Sequence, residues 1–232
     1  KEGYFNANNG FVQEAVFDYV HVYDSLVLVE KDGLYGFVKA ENGEMVIPMV
    51  YDGLYDDVGE SEGYVLVGYE TGEKAGAPAF KLLDVEGNEV IFPEGIMPDS
   101  SVCEGVLRIS RKLTDEEWQQ KESGWGVAYG LAKPDGTIVH EPEFDYVYEA
   151  MNGIVCYLNN GLCGHMDLEG NVIVQAQYDT FTGVEIPGYS FHSDYALIEE
   201  MDRYVVIDKQ GNEVFTADKL QGNTRFSVDW ID

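Results

Sequence analysis

The chain has 232 residues, with 43 Asp plus Glu against 14 Lys plus Arg and a formal net charge of −29. A surface this acidic repels phosphate backbones and anionic headgroups, which excludes sequence-independent nucleic-acid binding and charge-driven membrane binding. A hydrophobic content of 45% is too rich for a disordered acidic chain, and no apolar run is long enough to span a membrane. The chain begins at Lys1 rather than Met and shows no signal peptide, so it reads as processed or trimmed.

In chain order the same element pattern recurs six times. The first copy is a strand at Gly3–Asn6, a turn at Gly10, a second strand from Phe11, and the pair Phe17-Asp18. The second has an apolar strand Leu26–Val29, then Gly36-Phe37-Val38, a turn at Gly43, the strand Val46-Ile47-Pro48 and the pair Tyr51-Asp52. The third has Tyr64–Val67, Phe80–Asp84, a turn at Gly87 and Val90-Ile91. The fourth has Gly105–Ile109, Tyr129–Lys133, a turn at Gly136, Ile138-Val139 and Phe144-Asp145. The fifth has Gly153–Tyr157, the turn Asn160-Gly161, Cys163-Gly164-His165, a turn at Gly170, Val172-Ile173 and Tyr178-Asp179. The sixth has Tyr195–Ile198, Tyr204–Ile207, a turn at Gly211 and Val214-Phe215, followed by an orphan strand over Thr224–Ile231.

Each anchor glycine suits the left-handed position of a tight turn, and the flanking strands are β-branched. Positive φ is therefore expected at Gly87, Gly170 and Gly211. One unit reads as strand, hairpin, strand, turn, strand, with the aromatic-Asp segment as a candidate fourth, irregular edge strand. The fold class is all-β: six antiparallel β-repeat units in a single domain, spanning about 1–24, 25–62, 63–104, 105–152, 153–194 and 195–232. Units of this size and strand number fit β-propeller blades, with the orphan strand 224–231 completing the first unit beside residues 3–6. The alternative is an open array of hairpins.

These segments resemble the WG-repeat family, whose pattern is roughly Trp-Gly, aromatic, Ile, Asp, two polar residues, Gly, then Val-Ile-x-Pro and Tyr-Asp. Gly36-Phe37-Val38, Gly43, Val46-Ile47-Pro48 and Tyr51-Asp52 match it, as do Gly164, Asp167, Gly170 and Tyr178-Asp179. The signature Trp is replaced by Tyr35, Phe80, Tyr129, Cys163 and Tyr204, and the literal Trp125-Gly126 lies four residues before the fitting register. Tyr35, Phe80, Tyr129 and Tyr204 are expected to be buried between adjacent units. The resemblance implies a bacterial interaction module and supplies no catalytic residues.

Motifs for chemistry are sparse. His21, His140, His165 and His192 share no metal-ligand spacing, and no cysteine pair is placed to help them. A two-residue turn at Asn160-Gly161 sets Leu158 against Cys163 and Cys156 against His165, a diagonal that disfavours a Cys156–Cys163 disulfide. Glu141, Glu143 and Asp145 alternate along one strand, but such spacings arise by chance among 43 acidic residues. Asp56, Asp57, Glu60 and Glu62 lack a calcium-loop pattern and read as a solvated acidic loop. No catalytic residue, metal site or cofactor is expected, and the chain reads as a non-enzyme.

The feature in excess of the repeat is a pair of long links, at 69–79 and 111–124. The second contains Thr114-Asp-Glu-Glu117, a capping box that predicts a short helix carrying Trp118. Insertions on one face of a repeat fold often carry binding. The expected contact residues are Tyr69, Lys74, Arg111, Lys112, Trp118, Lys121 and Trp125, and the expected partner is a protein; the alternative is an envelope glycan-binding or glycoside-hydrolysing β-propeller. The acidic surface and the non-Met start favour an extracellular or cell-envelope address in a bacterium.

Overall fold

The computed structural model describes residues 1–52, 59–70, 78–120, 126–179, 191–192, 194–199 and 203–218. The protein is all-β, and the described residues form six antiparallel sheets made of strands that follow one another in the chain. Two compact units divide it: Lys1–Val102 with Pro134–Gly136, and Cys103–Lys133 with Thr137–Asp232.

In the first unit β1 (Glu2–Phe5) pairs with β2 (Val12–Phe17). Next come β3 (Tyr19–Val22), β4 (Leu26–Lys31), β5 (Leu34–Lys39) and β6 (Met45–Tyr51), a four-stranded meander. A three-stranded sheet follows, from β7 (Gly59–Ser61), β8 (Tyr64–Glu70) and β9 (Pro78–Asp84), and β10 (Ile96–Pro98) is the unit's last strand. The central hairpin of the meander is buried on both faces, which explains the unbroken apolar run Leu26–Val29 where an alternating strand would be half polar. One face, with Leu28, Tyr35 and Phe37, packs on Val65, Val67 and Leu83 of the next sheet. The other, with Val27, Val29 and Val38, packs on Phe17 and Tyr4. No sheet buries both its faces alone, so successive sheets stack.

The second unit repeats this design. It contains β11 (Leu107–Lys112), α1 (Asp115–Gln120), β12 (Val127–Ala132) and β13 (Ile138–Phe144). Then come β14 (Tyr146–Val147), β15 (Ile154–Asn159), β16 (Leu162–Asp167) and β17 (Val172–Asp179). The last sheet is β18 (Phe191–His192), β19 (Tyr195–Glu199), β20 (Arg203–Asp208) and β21 (Glu213–Asp218). Tyr129, Leu131 and Phe144 meet Val155, Tyr157 and Met166, while Ile154, Val174 and Tyr178 meet Ala196, Ile198, Val205 and Ile207.

The repeat's signature residues have local causes. Where β6, β13 and β17 pass β5, β12 and β16 the register shifts, and four residues of one strand span two of the other. The glycine at each crossing is a close approach: a Cβ on Gly36, Gly130 or Gly164 would stand 2.4, 2.5 or 2.6 Å from a carbonyl oxygen of the bulged strand. The expected turn glycines have positive φ, with 86° at Gly87 and 80° at both Gly170 and Gly211. An aspartate closes each of those three turns. Asp167 Oδ1 accepts from the amides of Glu169 (3.0 Å) and Asn171 (2.8 Å), and Oδ2 accepts from Asn171 Nδ2 (2.9 Å); Asp84 and Asp208 do the same.

The aromatic-Asp pair differs from the expected edge strand. Its aromatic residue ends a sheet's last strand, as Phe17, Tyr51 and Phe144 do, or stands one residue before the end, as Tyr178 does in β17. The aspartate then turns the corner, and the short strand after it, β3 or β14, opens the next sheet. The cause is a hydrogen bond across that sheet. Asp18 Oδ2 accepts from the amide of Asp32 at 3.1 Å, and Asp145 Oδ2 from that of Asn160 at 2.5 Å, each at the left-handed tip of a hairpin. Of the expected buried aromatics, Tyr35, Tyr129 and Tyr204 are 1%, 8% and 8% exposed, and Phe80 is half-buried. Tyr35 does more than pack, since its hydroxyl donates to the Gly68 carbonyl (2.8 Å) and accepts from the Gly68 amide (2.7 Å). The orphan strand 224–231 lies outside the described residues.

Candidate functional site

The helix foreseen from the capping box is present as α1, and its N-terminus is closed from both directions. Thr114 Oγ1 accepts from the Glu117 amide at 3.2 Å, and Glu117 Oε2 accepts from the Thr114 amide at 2.9 Å. A six-residue helix is too short to persist by itself. What pins it is Arg111 at the end of β11, whose guanidinium makes a two-pronged ion pair with Glu117 at 3.0 and 2.8 Å. Arg111 Nε also donates to the Pro142 carbonyl at 3.0 Å, which ties the helix to β13. Glu117 is held down to a pKa of about 2, chiefly by its bonds to Arg111 and then by the Thr114 amide.

The residue presented by this arrangement is Trp118, which is 51% exposed. With Asp115 and Gln119 it lines an open depression of about 400 Å³. Among the expected contact residues, Trp118 and Lys112 stand exposed, and the charge of Arg111 is committed to Glu117. Tyr69 pairs through its backbone with Ala79 in the β8–β9 ladder. Lys74, Lys121 and Trp125 lie outside the described residues.

Three of the carboxylates weighed for chemistry, Glu143, Asp145 and Glu60, have structural work. Glu143 Oε1 sits 3.0 Å from His140 Nε2, and Asp145 holds the Asn160 turn. Glu60 accepts from the amides of Ser25 (3.1 Å) and Leu26 (2.8 Å), closing the turn that leads into β4. Asp56 and Asp57 lie outside the described residues.

A different constellation escaped the sequence reading. The register of β15 on β16 is the expected one, Leu158 against Cys163 and Cys156 against His165. The diagonal does not keep the two sulfurs apart. Sγ of Cys156 and Sγ of Cys163 are 2.7 Å from each other, and their ligand atoms with that of His165 all lie within 4.8 Å. The twist of an antiparallel pair brings one diagonal together, and these side chains are on it. All three residues are buried, with exposures of 0%, 0% and 1%. The contact with Cys156, together with burial, pushes the Cys163 thiol far up, so it stays protonated. This cluster is the one group among the described residues able to hold a metal ion.

No curated protein matches the chain. Among solved structures it is similar to Hsv2p of Kluyveromyces lactis, at 10% identity over 88% of this chain and 67% of that one, with a TM-score of 0.38. It is similar to a eukaryotic initiation factor, at 11% identity over 93% and 72%, with a TM-score of 0.38. A second K. lactis Hsv2 structure, with its loop 6CD complete, shares 11% identity over 89% of this chain and 63% of that one, with a TM-score of 0.35. The family model described as the WG containing repeat matches two regions of the chain, residues 35–67 and 129–163.

Proposed function

We propose that the protein is a non-catalytic binding module, a six-unit β-propeller-like repeat closed by pairing of residues 224–231 with β1, and that it takes a protein partner on the surface built around α1. The observation that carries this reading is Trp118. Burying an indole side chain is worth about 2 kcal/mol or more, yet this one is half-exposed on a helix that three separate devices hold in place. A rigid, exposed Trp is what an interface uses as an anchor, because little conformational freedom is lost on contact. Arg111 serves the site by holding the helix, and exposed Lys112 flanks it.

A second reading has its own support: a sugar ring stacks on an indole while its hydroxyls donate hydrogen bonds to a flanking carboxylate and exchange them with a flanking amide, and Asp115 and Gln119 flank Trp118 in one depression. The test is affinity capture from the source bacterium on immobilised wild-type chain and on Trp118→Ala, read by quantitative mass spectrometry, with a glycan array run on both. Proteins retained by wild type and lost at least ~10-fold with Trp118→Ala are the expected result. Equal capture by the two chains would reject α1 as the site, and Trp118-dependent binding to the array alone would select the glycan reading.

A further inference from the structure

The repeat supplies its own control for the Cys156–Cys163–His165 cluster. The equivalent positions in the other units follow from the strand registers. They are Leu28, Tyr35 and Phe37; Leu66, Phe80 and Leu82; Arg108, Tyr129 and Leu131; and Leu197, Tyr204 and Val206. Three of these four trios are made wholly of aliphatic and aromatic side chains. In the fourth, Arg108 is 8% exposed, lies over the rings of Tyr129 and Tyr146, and donates to the Tyr146 hydroxyl and the Val147 carbonyl. Only the fifth unit replaces all three positions, and it does so with two thiols and an imidazole. Three concerted departures from a packing trio, all on one buried strand face, are poorly explained by packing. Two cysteines and a histidine are smaller or more polar than the Leu, Tyr and Phe they replace, and they fill that core less well.

We propose that Cys156, Cys163 and His165 form a binding site for one zinc ion. The donor set is the soft nitrogen–sulfur set that zinc selects, and it offers no oxygen ligand for a hard cation such as calcium or magnesium. Binding would displace one proton from each thiol. The ion's two positive charges then meet two thiolates and a neutral imidazole, and the site carries no net charge into a buried core. Zinc–sulfur bonds of about 2.3 Å in a tetrahedral site set the two sulfurs about 3.7 Å apart. The thiols stand at 2.7 Å, so loading separates them by about 1 Å through rotation of the two side chains. Three protein donors leave the fourth position to a water or another small ligand. Because the site is fully buried, the ion enters while the chain folds and should stabilise the fold. A Cys156–Cys163 disulfide is the competing outcome, but it involves the sulfurs alone, whereas the metal site uses all three replacements.

The test refolds the full chain under reducing conditions with zinc(II) and, separately, with cobalt(II) as a spectroscopic probe. About one ion per chain should survive gel filtration. The cobalt form should show thiolate-to-metal charge transfer in the near ultraviolet and the intense visible bands of a tetrahedral ion. His165→Phe should weaken cobalt binding about 100-fold or more, since a directly bound ligand matters at least as much as its supporting groups. The triple variant Cys156→Leu, Cys163→Tyr, His165→Phe restores the trio of the second unit; it should fold without metal and lose the bands. Substoichiometric metal in a folded, reduced wild-type chain would overturn the proposal. So would undiminished binding by His165→Phe, or a wild-type mass lower by two hydrogens in metal-free protein, the mark of a disulfide.

Discussion

At the scale of single residues, the turn aspartates and glycines explain why the repeat looks as it does. Gly161 and Gly170 flank β16, and both have left-handed φ, 74° and 80°. They differ in what a side chain would meet. A Cβ on Gly161 has nothing within 4 Å, whereas one on Gly170 would lie 2.5 Å from the carbonyl oxygen of Val139. Gly161→Ala should therefore cost only the left-handed penalty, about 1 kcal/mol. Gly170→Ala adds a backbone collision that no rotamer relieves, and should cost roughly 2–3 kcal/mol. Chemical denaturation of the two variants measures the gap. Equal losses would mean that the turn at Gly170 is not seated on the neighbouring strand. The gap matters for function too, because β16 carries Cys163 and His165, and its position depends on both turns.

At the scale of elements, α1 is the piece whose stability comes from charge rather than from burial. Glu117 has its pKa lowered to about 2, against an ordinary value of 4.5. A depressed folded-state pKa contributes stability that is present above the unfolded value and is lost as pH falls through the folded one. The helix should hold at pH 5 and above and lose order between about pH 4.5 and 2. Amide exchange at Thr114 and Glu117, whose N–H groups the capping box protects, reports this directly. In Glu117→Gln the exchange should be faster at pH 7 and its dependence on acid should flatten. Protection that persists unchanged at pH 2 would show that the ion pair with Arg111 does not hold the helix. The helix itself was legible from Thr114 and Glu117 because a capping box is a local signal. Its anchoring by Arg111 was not, since the residues between them say nothing about where the helix folds back. The hairpins were legible for the same local reason, from β-branched runs closed by glycine turns. The corner at the aromatic-Asp pair was not, because the partner of Asp145 is the Asn160 amide 15 residues further on. Nor was the closeness of the two cysteines, which depends on strand twist rather than on register alone.

At the scale of the whole molecule, the acidic surface sets the balance between attraction and repulsion. Fourteen cations can pair with at most 14 of 43 carboxylates, which leaves the net −29 uncompensated whatever the pairing. The described pairs Lys39–Glu44, Lys81–Glu89 and Arg203–Glu213 are solvent-exposed, and such pairs contribute about 0–1 kcal/mol each. Salt acts on both terms. It weakens the few pairs and screens the many like charges, reducing the reach of the field from about 30 Å at 0.01 M to about 3 Å at 1 M. Since carboxylates outnumber cations 43 to 14, screening should win, and added sodium chloride should stabilise the fold. A gain of 1 kcal/mol in a chain of this length raises Tm by about 2–4 °C, which is the expected order of the shift between 0.01 and 0.5 M salt. Calorimetry at neutral pH decides the matter. A Tm that falls with salt would mean that the ion pairs outweigh the repulsion. The same repulsion bears on the proposed partner: one that docks at Trp118 must approach an acidic chain, beside Asp115 and Glu116, so a basic partner surface would be drawn in quickly at low salt and more slowly as salt is added.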